Sequence, residues 1–196
     1  DLDPNNHDAR REMALLLISV GRNDQAIAEI DKAIAIAPTS FNKRTRGAIL
    51  YFSRRYDEAI AQLEQTDETD PEFIRCLSYL MRSYEMKKDW QNAVENYIRL
   101  RRRDSTPGEI DAVRASFASG GWPAILTMMI NRKDRDLFVK AGTLAELGHR
   151  DQAFELLNDM AERRRIMIVQ VAREPRLDPL KGDPRYHALL QRIGLR

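Results

Sequence analysis

The chain has 196 residues, 32% of them charged and 7% aromatic, with a net charge of only +2. That balance supplies no global field to recruit nucleic acid or a membrane surface, and no apolar run approaches the roughly 20 residues needed to span a bilayer. Cys76 is alone, which excludes an internal disulfide framework and a multi-cysteine metal site.

Taken in order, the opening DLDPNNHDARR has no Met and no signal-peptide pattern, so it is expected not to be a natural N-terminus. Asp3-Pro4 reads as the tail of an earlier unit, because Pro4, Pro38 and Pro71 are spaced by 34 and 33 residues. Each proline stands where it would end a second helix. The first helix pair is expected at about 8–20 and 24–37, with Gly21 closing the first helix in a left-handed conformation and Asp24 as N-cap of the second. Ala26, Ile27, Ile30, Ala33 and Ile34 recur three and four apart and line one helix face. One such face cannot be buried alone, but copies every 33 or 34 residues bury it by stacking.

The second pair is expected at 42–52 and 57–65, with Arg54 in the turn where the first pair has Gly21. The third is expected at 72–86 and 90–103. Ala26, Ala59 and Ala93 stand at matching places, as do Ala14, Gly47 and Met81. A small residue there lets paired helices approach closely. The period then degrades. A short helix at 109–116, a turn at Ser119, Gly120 and Gly121, and a helix from Trp122 to Ile130 come next, with Pro123 in its first turn. A further pair is expected at 134–147 and 150–162, with Ala141, Gly148 and Ala153 in the repeating places. Ile166–Val171 reads as a short helix or extended piece. Pro175, Pro179 and Pro184 predict non-helical chain until Asp183, which caps a last helix bearing Tyr186, Leu189, Leu190 and Ile193 on one face. Gly194 ends it.

The resulting expectation is an all-α chain forming one continuous solenoid of antiparallel helix pairs with a C-terminal capping helix. Residues 1–104 hold the regular repeats, with the end of a preceding repeat at 1–6 and then three pairs. Residues 105–165 hold two shortened pairs, and residues 166–196 the cap segment.

The first three pairs resemble the tetratricopeptide repeat on Leu17, Gly21, Ala26, Ile30, Ala33 and Pro38, on Leu50, Ala59, Leu63 and Pro71, and on Leu77, Leu80, Tyr84, Ala93 and Tyr97. The resemblance implies a right-handed superhelix and a protein-interaction role. Arg10 stands where that family usually has an aromatic, and Thr66 and Leu100 replace its alanine. The tail, on Asp151, Ala153, Leu177, Pro179, Leu180, Asp183, Pro184, Arg185, Tyr186, Leu189, Leu190 and Leu195, is similar to the C-terminal end of many bacterial multi-domain regulators. In those, such an array follows a winged-helix, adenylate or guanylate cyclase, or kinase domain. That implies a regulatory, cytoplasmic role here.

Catalytic chemistry has no obvious carrier. Gly120-Gly121 lacks the spacing and the Lys-Ser/Thr pair of a phosphate loop. His7, His149 and His187 have no second ligand type at helical spacing, so no metal is expected. Cys76 reads as a buried small hydrophobe. Glu68 and Asp70 read as turn caps rather than an acid-base pair. No enzyme activity and no cofactor are expected of this chain.

The functional candidate is the groove lined by the first helix of each pair: Arg11, Leu15, Ile18, Lys43, Arg44, Tyr51, Arg75, Tyr79 and Arg82. Arg and Tyr are good interface anchors. Leu15 and Arg82 occupy places where the family's carboxylate clamp needs asparagine, so chaperone-tail binding is not expected. Lys43, Arg44, Arg46, Arg54 and Arg55 form a run without an acid, which points to an acidic peptide or protein partner or to a solvated helix face. Nucleic acid is disfavoured, because Glu58, Glu64, Asp67, Glu68 and Asp70 follow at once. The alternative reading is self-association, or regulation of a further domain of the same protein.

Overall fold

The computed structural model describes residues 6–132 and 136–195. Asp3-Pro4 and the expected helix start at Asp134 lie outside the described residues. Within them every regular element is a helix. Two compact units form, Asp1–Val113 and Arg114–Arg196.

In the first unit the helices are α1 (His7–Ser19), α2 (Asn23–Ile36), α3 (Ser40–Phe52), α4 (Tyr56–Leu63), α5 (Phe73–Met86) and α6 (Trp90–Arg101). They pack in adjacent pairs, α1 with α2, α3 with α4 and α5 with α6. Each second helix also meets the next first helix, and α1 touches α3 as α3 touches α5. The sequence explains the pairing. Ala14, Ala26, Ala33, Ala59 and Ala93 are fully buried and let the helices close on Ile18, Ile30, Ile49, Leu50 and Leu77. Gly47 is required at its place: a Cβ there would lie 2.6 Å from Leu63 Cγ.

The turn within each pair repeats the same backbone. Gly21 sits at φ 83°, Arg54 at 63° and Lys88 at 60°. At each, two hydrogen bonds close the helix. The Gly21 N–H donates to Ile18 C=O at 3.1 Å and that of Arg22 to Leu17 C=O at 2.9 Å. Arg54 and Arg55 donate to Tyr51 and Leu50, both at 2.9 Å, and Lys88 and Asp89 to Glu85 and Tyr84, both at 2.9 Å. This is the Schellman closure of a helix C-terminus. The closure, not the glycine, is what recurs.

Asn6, Thr39 and Asp89 cap α1, α3 and α6 through their side chains. Asp24 does not cap α2. The helix begins one residue earlier, leaving Arg22 at the cap with no side-chain bond. Asp24 falls inside the first turn, where its charge still complements the helix dipole.

The helical stretch α7 (Pro107–Ile130) begins in the first unit and ends in the second. It runs past Ser116 to Gly120 and is interrupted only at Gly121, at φ 60° and ψ −155°. The expected three-residue turn is therefore a single left-handed residue. Gly120 stays helical, and its missing Cβ matters there, since one would lie 2.8 Å from Ala124 Cβ.

In the second unit α8 (Leu137–Glu146) pairs with α9 (Arg150–Glu162) across Gly148, φ 80°. Gly148 and His149 donate to Ala145 and Leu144 at 3.1 and 2.9 Å, the same closure again. Two 3-10 helices follow, Ile166–Gln170 and Pro175–Leu180. The second overturns the expectation of non-helical chain. Pro175 opens it, the Glu174 carboxylate accepts from the Arg176 N–H, and Leu177 and Lys181 donate across three residues. Proline is compatible with a first turn, where its missing N–H is not needed. α10 (Pro184–Arg192), capped by Asp183, then lays Tyr186, Leu189 and Leu190 against the unit's core, and the Tyr186 hydroxyl donates to Val171 C=O at 2.9 Å. No helix among the described residues is long and apolar enough to cross a membrane.

Candidate partner-binding face

The nine candidate residues lie on α1, α3 and α5, the first helices of the three pairs. Two leave the candidate surface at once. Ile18 and Tyr51 are fully buried. Tyr51 is the hub of an aromatic cluster, with ring centroids of Phe52, Tyr79 and Tyr56 at 5.3, 5.8 and 6.1 Å. Ile18 and Tyr51 both stand on first helices, but on a face that turns inward. Arg82 is also buried, with its guanidinium 5.3 Å from the Tyr79 ring centroid. Leu15 and Tyr79 are half-buried. Ile18, Tyr51 and Arg82 are therefore structural, and Tyr79 packs against the core.

Arg11, Arg44 and Arg75 are drawn into one band by two residues that sequence reasoning did not select, Phe41 and Glu72. The Arg11 guanidinium lies 4.3 Å from the Phe41 ring centroid and that of Arg44 lies 4.6 Å from it. Phe41 nevertheless keeps 37% of its surface exposed. Arg11 itself is 8% exposed and donates to Asp8, to Glu12 at 3.1 Å and to Asn42 at 3.4 Å. Arg44 Nε stands 2.6 Å from Glu72 Oε2, a charge contact whose N–H is not aligned on the oxygen. The other Glu72 oxygen takes Arg75 at 3.3 Å. Lys43 and Arg75 are exposed, and Lys43 has no charged partner among the described residues. A guanidinium over an aromatic face is an attractive contact, so Phe41 is held in place without being covered.

The basic run meets its acids both across and along the chain. Arg46 pairs with Asp31 of α2 at 2.7 Å, and Arg55 with Glu58 in the first turn of its own helix, α4, at 2.6 Å. What stays exposed among these residues is the Phe41 ring, held between Arg11 and Arg44, together with Lys43 elsewhere on α3 and Arg75 on α5, the latter paired to Glu72. A signal for Phe41 was present in the sequence: it is the one large apolar residue directly before the basic run. Glu72 had none, because its importance arises only from the approach of α3 to α5.

The other chemical candidates are accounted for by structure. The Cys76 thiol is buried, accepts from the Thr66 hydroxyl at 3.3 Å, and burial pushes its pKa up. That is the reverse of what a nucleophilic thiolate needs. Glu68 pairs with Arg99 at 3.1 Å, and Asp70 accepts from the Ser40 hydroxyl and the Glu72 N–H. His7 lies 3.4 Å from the Asn42 amide and His187 3.0 Å from that of Gln191. Among the described residues no three or more His, Cys, Asp or Glu side chains gather to hold a metal ion.

Fold and site together define an all-helical protein of paired antiparallel helices that carries an aromatic residue between cations on one face. Compared with protein-family models, curated proteins and solved structures, the chain matches none.

Proposed function

We propose that this chain is a protein-interaction module of the tetratricopeptide type, its pairs stacked as a solenoid. It binds a partner segment bearing acidic and apolar side chains on the face of α1, α3 and α5. The observation that supports the reading is the exposed Phe41 ring held between Arg11 and Arg44, with Lys43 and Arg75 also exposed on α3 and α5. The ring offers apolar area and the cations offer charge complementarity, which favours an acidic partner and raises its rate of encounter. The 33–34-residue recurrence and the repeated Schellman closures support the repeat assignment. The tail's similarity to the ends of bacterial regulators makes the module a docking or regulatory part of a larger cytoplasmic signalling protein.

The test is a peptide array, acid-rich peptides with and without an aromatic or leucine, probed with wild type and with Lys43→Glu/Arg75→Glu. Both residues are exposed, so the double variant leaves the core alone. The expected result is preference for the acidic-apolar peptides and a loss of about tenfold or more in the variant. Equal binding by the two proteins removes the face from consideration.

A second reading, self-association, is favoured by α1, where Leu16 is 65% exposed beside exposed Met13 and Val20. The equivalent of Leu16 one repeat later is Ile49, which is fully buried. Light scattering against concentration, with Leu16→Asp alongside, separates the readings: a monomer at all concentrations excludes this one.

A further inference from the structure

A cavity of about 480 Å³ opens in the first unit between the loop before α5, the start of α5 and the end of α6. It shares no residue with the Phe41, Lys43 and Arg75 patch. Pro71, Phe73 and Ile74 give it an apolar lining, and Arg99, Arg102 and Arg103 give it three guanidinium groups. The size is in the range of small-molecule sites.

The charges in it are unequally committed. Arg99 is spent on the fold: it pairs with Glu68 at 3.1 Å, donates to Asn96 at 3.2 Å and lies 5.2 Å from the Phe73 ring centroid. The two acids of the lining are equally engaged, Glu68 by Arg99 and Asp70 by Ser40 and the Glu72 N–H. Arg102 and Arg103 are exposed and have no charged partner among the described residues. Nor are their side chains needed to close α6. The closure is by backbone, the Arg102 N–H donating to Ile98 C=O at 3.0 Å, and the side chain that ties the following turn is that of Arg101, which donates to Asp104 at 2.8 Å and to Ser105. Two adjacent, uncommitted guanidinium forks beside an apolar lining suit a ligand with an anionic head and an apolar body. A guanidinium binds a carboxylate or phosphate through two parallel N–H donors.

We propose that this cavity binds a small organic anion, a carboxylate or phosphate monoester on an aromatic or aliphatic body, with the head on Arg102 and Arg103 and the body against Phe73 and Ile74. The inference goes beyond the partner-face reading and does not depend on it.

The test is a two-dimensional amide NMR titration of the full chain with phenyl phosphate, with inorganic phosphate and phenol as controls. Phenyl phosphate is expected to give saturable shifts centred on Phe73, Ile74, Arg102 and Arg103, with each control weaker by about tenfold or more because it has only half of the ligand's chemistry. Arg102→Gln/Arg103→Gln, at exposed positions, is expected to abolish the shifts and keep the wild-type circular dichroism. Lys43→Glu/Arg75→Glu is expected to retain them, which separates this site from the partner face. The proposal is overturned by no saturable shift at these amides in wild type, by inorganic phosphate binding as tightly as phenyl phosphate, or by unchanged binding in Arg102→Gln/Arg103→Gln.

Discussion

Arg176 Nε donates to Glu146 Oε2 at 3.1 Å, joining the 3-10 helix Pro175–Leu180 to the end of α8. The arginine is 1% exposed. Its Nη2 also donates to Val139 C=O at 3.2 Å and to the Thr143 hydroxyl. Gly142 makes room for it: a Cβ there would lie 3.3 Å from Arg176 Cβ. A buried cation is tolerated only when its donors are satisfied, and breaking such a pair from one side costs about 3–5 kcal/mol. Arg176→Ala is therefore expected to destabilise the protein by that amount. Glu146→Gln, which keeps an acceptor but removes the counter-charge, is expected to cost less, about 1.5–3 kcal/mol. Thermal unfolding by circular dichroism measures both, and equal costs for the two variants would show that the charge on Glu146, not the satisfaction of Arg176, is decisive.

Gly47 opposes helix propensity to packing. Alanine in a helix interior gains about 1 kcal/mol over glycine, but here its Cβ would meet Leu63, which is itself buried. Overpacking costs about 1–3 kcal/mol. Gly47→Ala is expected to be destabilising on balance. In a Leu63→Ala background the same change is expected to become neutral or favourable, and urea unfolding of the four proteins of that cycle reads the coupling.

Lys88 closes α5 at φ 60° with a side chain that is exposed and has no charged partner among the described residues. A left-handed conformation costs a non-glycine residue about 1–2 kcal/mol, partly offset by the extra freedom glycine brings to the unfolded chain. Lys88→Gly is expected to stabilise the protein by about 0.5–1 kcal/mol, seen as a rise in the urea midpoint. A drop would mean that the lysine side chain contributes more than its backbone costs.

Asp183 caps α10, and its carboxyl is lowered from 3.8 to about 2, first by the side-chain hydrogen bonds from Arg185 and then by the Arg185 N–H. The folded value is below the unfolded one. The stabilisation is therefore complete above about pH 4 and is lost as pH falls toward 2. Carboxyl NMR is expected to place the Asp183 midpoint near 2, and Asp183→Asn is expected to flatten the acid limb of the stability profile. A midpoint near 3.8 would show that the cap is not formed in solution.

Much of the fold is legible because its decisive interactions are local. Helix hydrogen bonds and Schellman closures join residues within five positions of each other, so apolar spacing and turn chemistry predict them. That is why Gly21 and Gly148 mark two pair turns, and why Asp183 and Pro184 mark α10. Arg54 and Lys88 do not announce a left-handed turn by type, yet they stand in register with Gly21 and adopt it. The miss at Pro175–Leu180 has a related cause: proline rules exclude the interior of an α-helix, not a 3-10 turn that begins on proline.

The candidate site divides the same way. The amino-acid sequence by itself determined which helix faces carry cations and which residues recur at repeat spacing. Only the tertiary structure decided which of those cations are spent. Glu72 arrives from α5 to hold Arg44, Asp31 from α2 holds Arg46, and Arg11 and Arg44 converge on Phe41. It also decided that Ile18 and Tyr51 face the core while Phe41, Lys43 and Arg75 keep solvent. The physical reason is range: a side chain's exposure and charge partners depend on surfaces brought together from other helices, which the spacing along one helix does not encode.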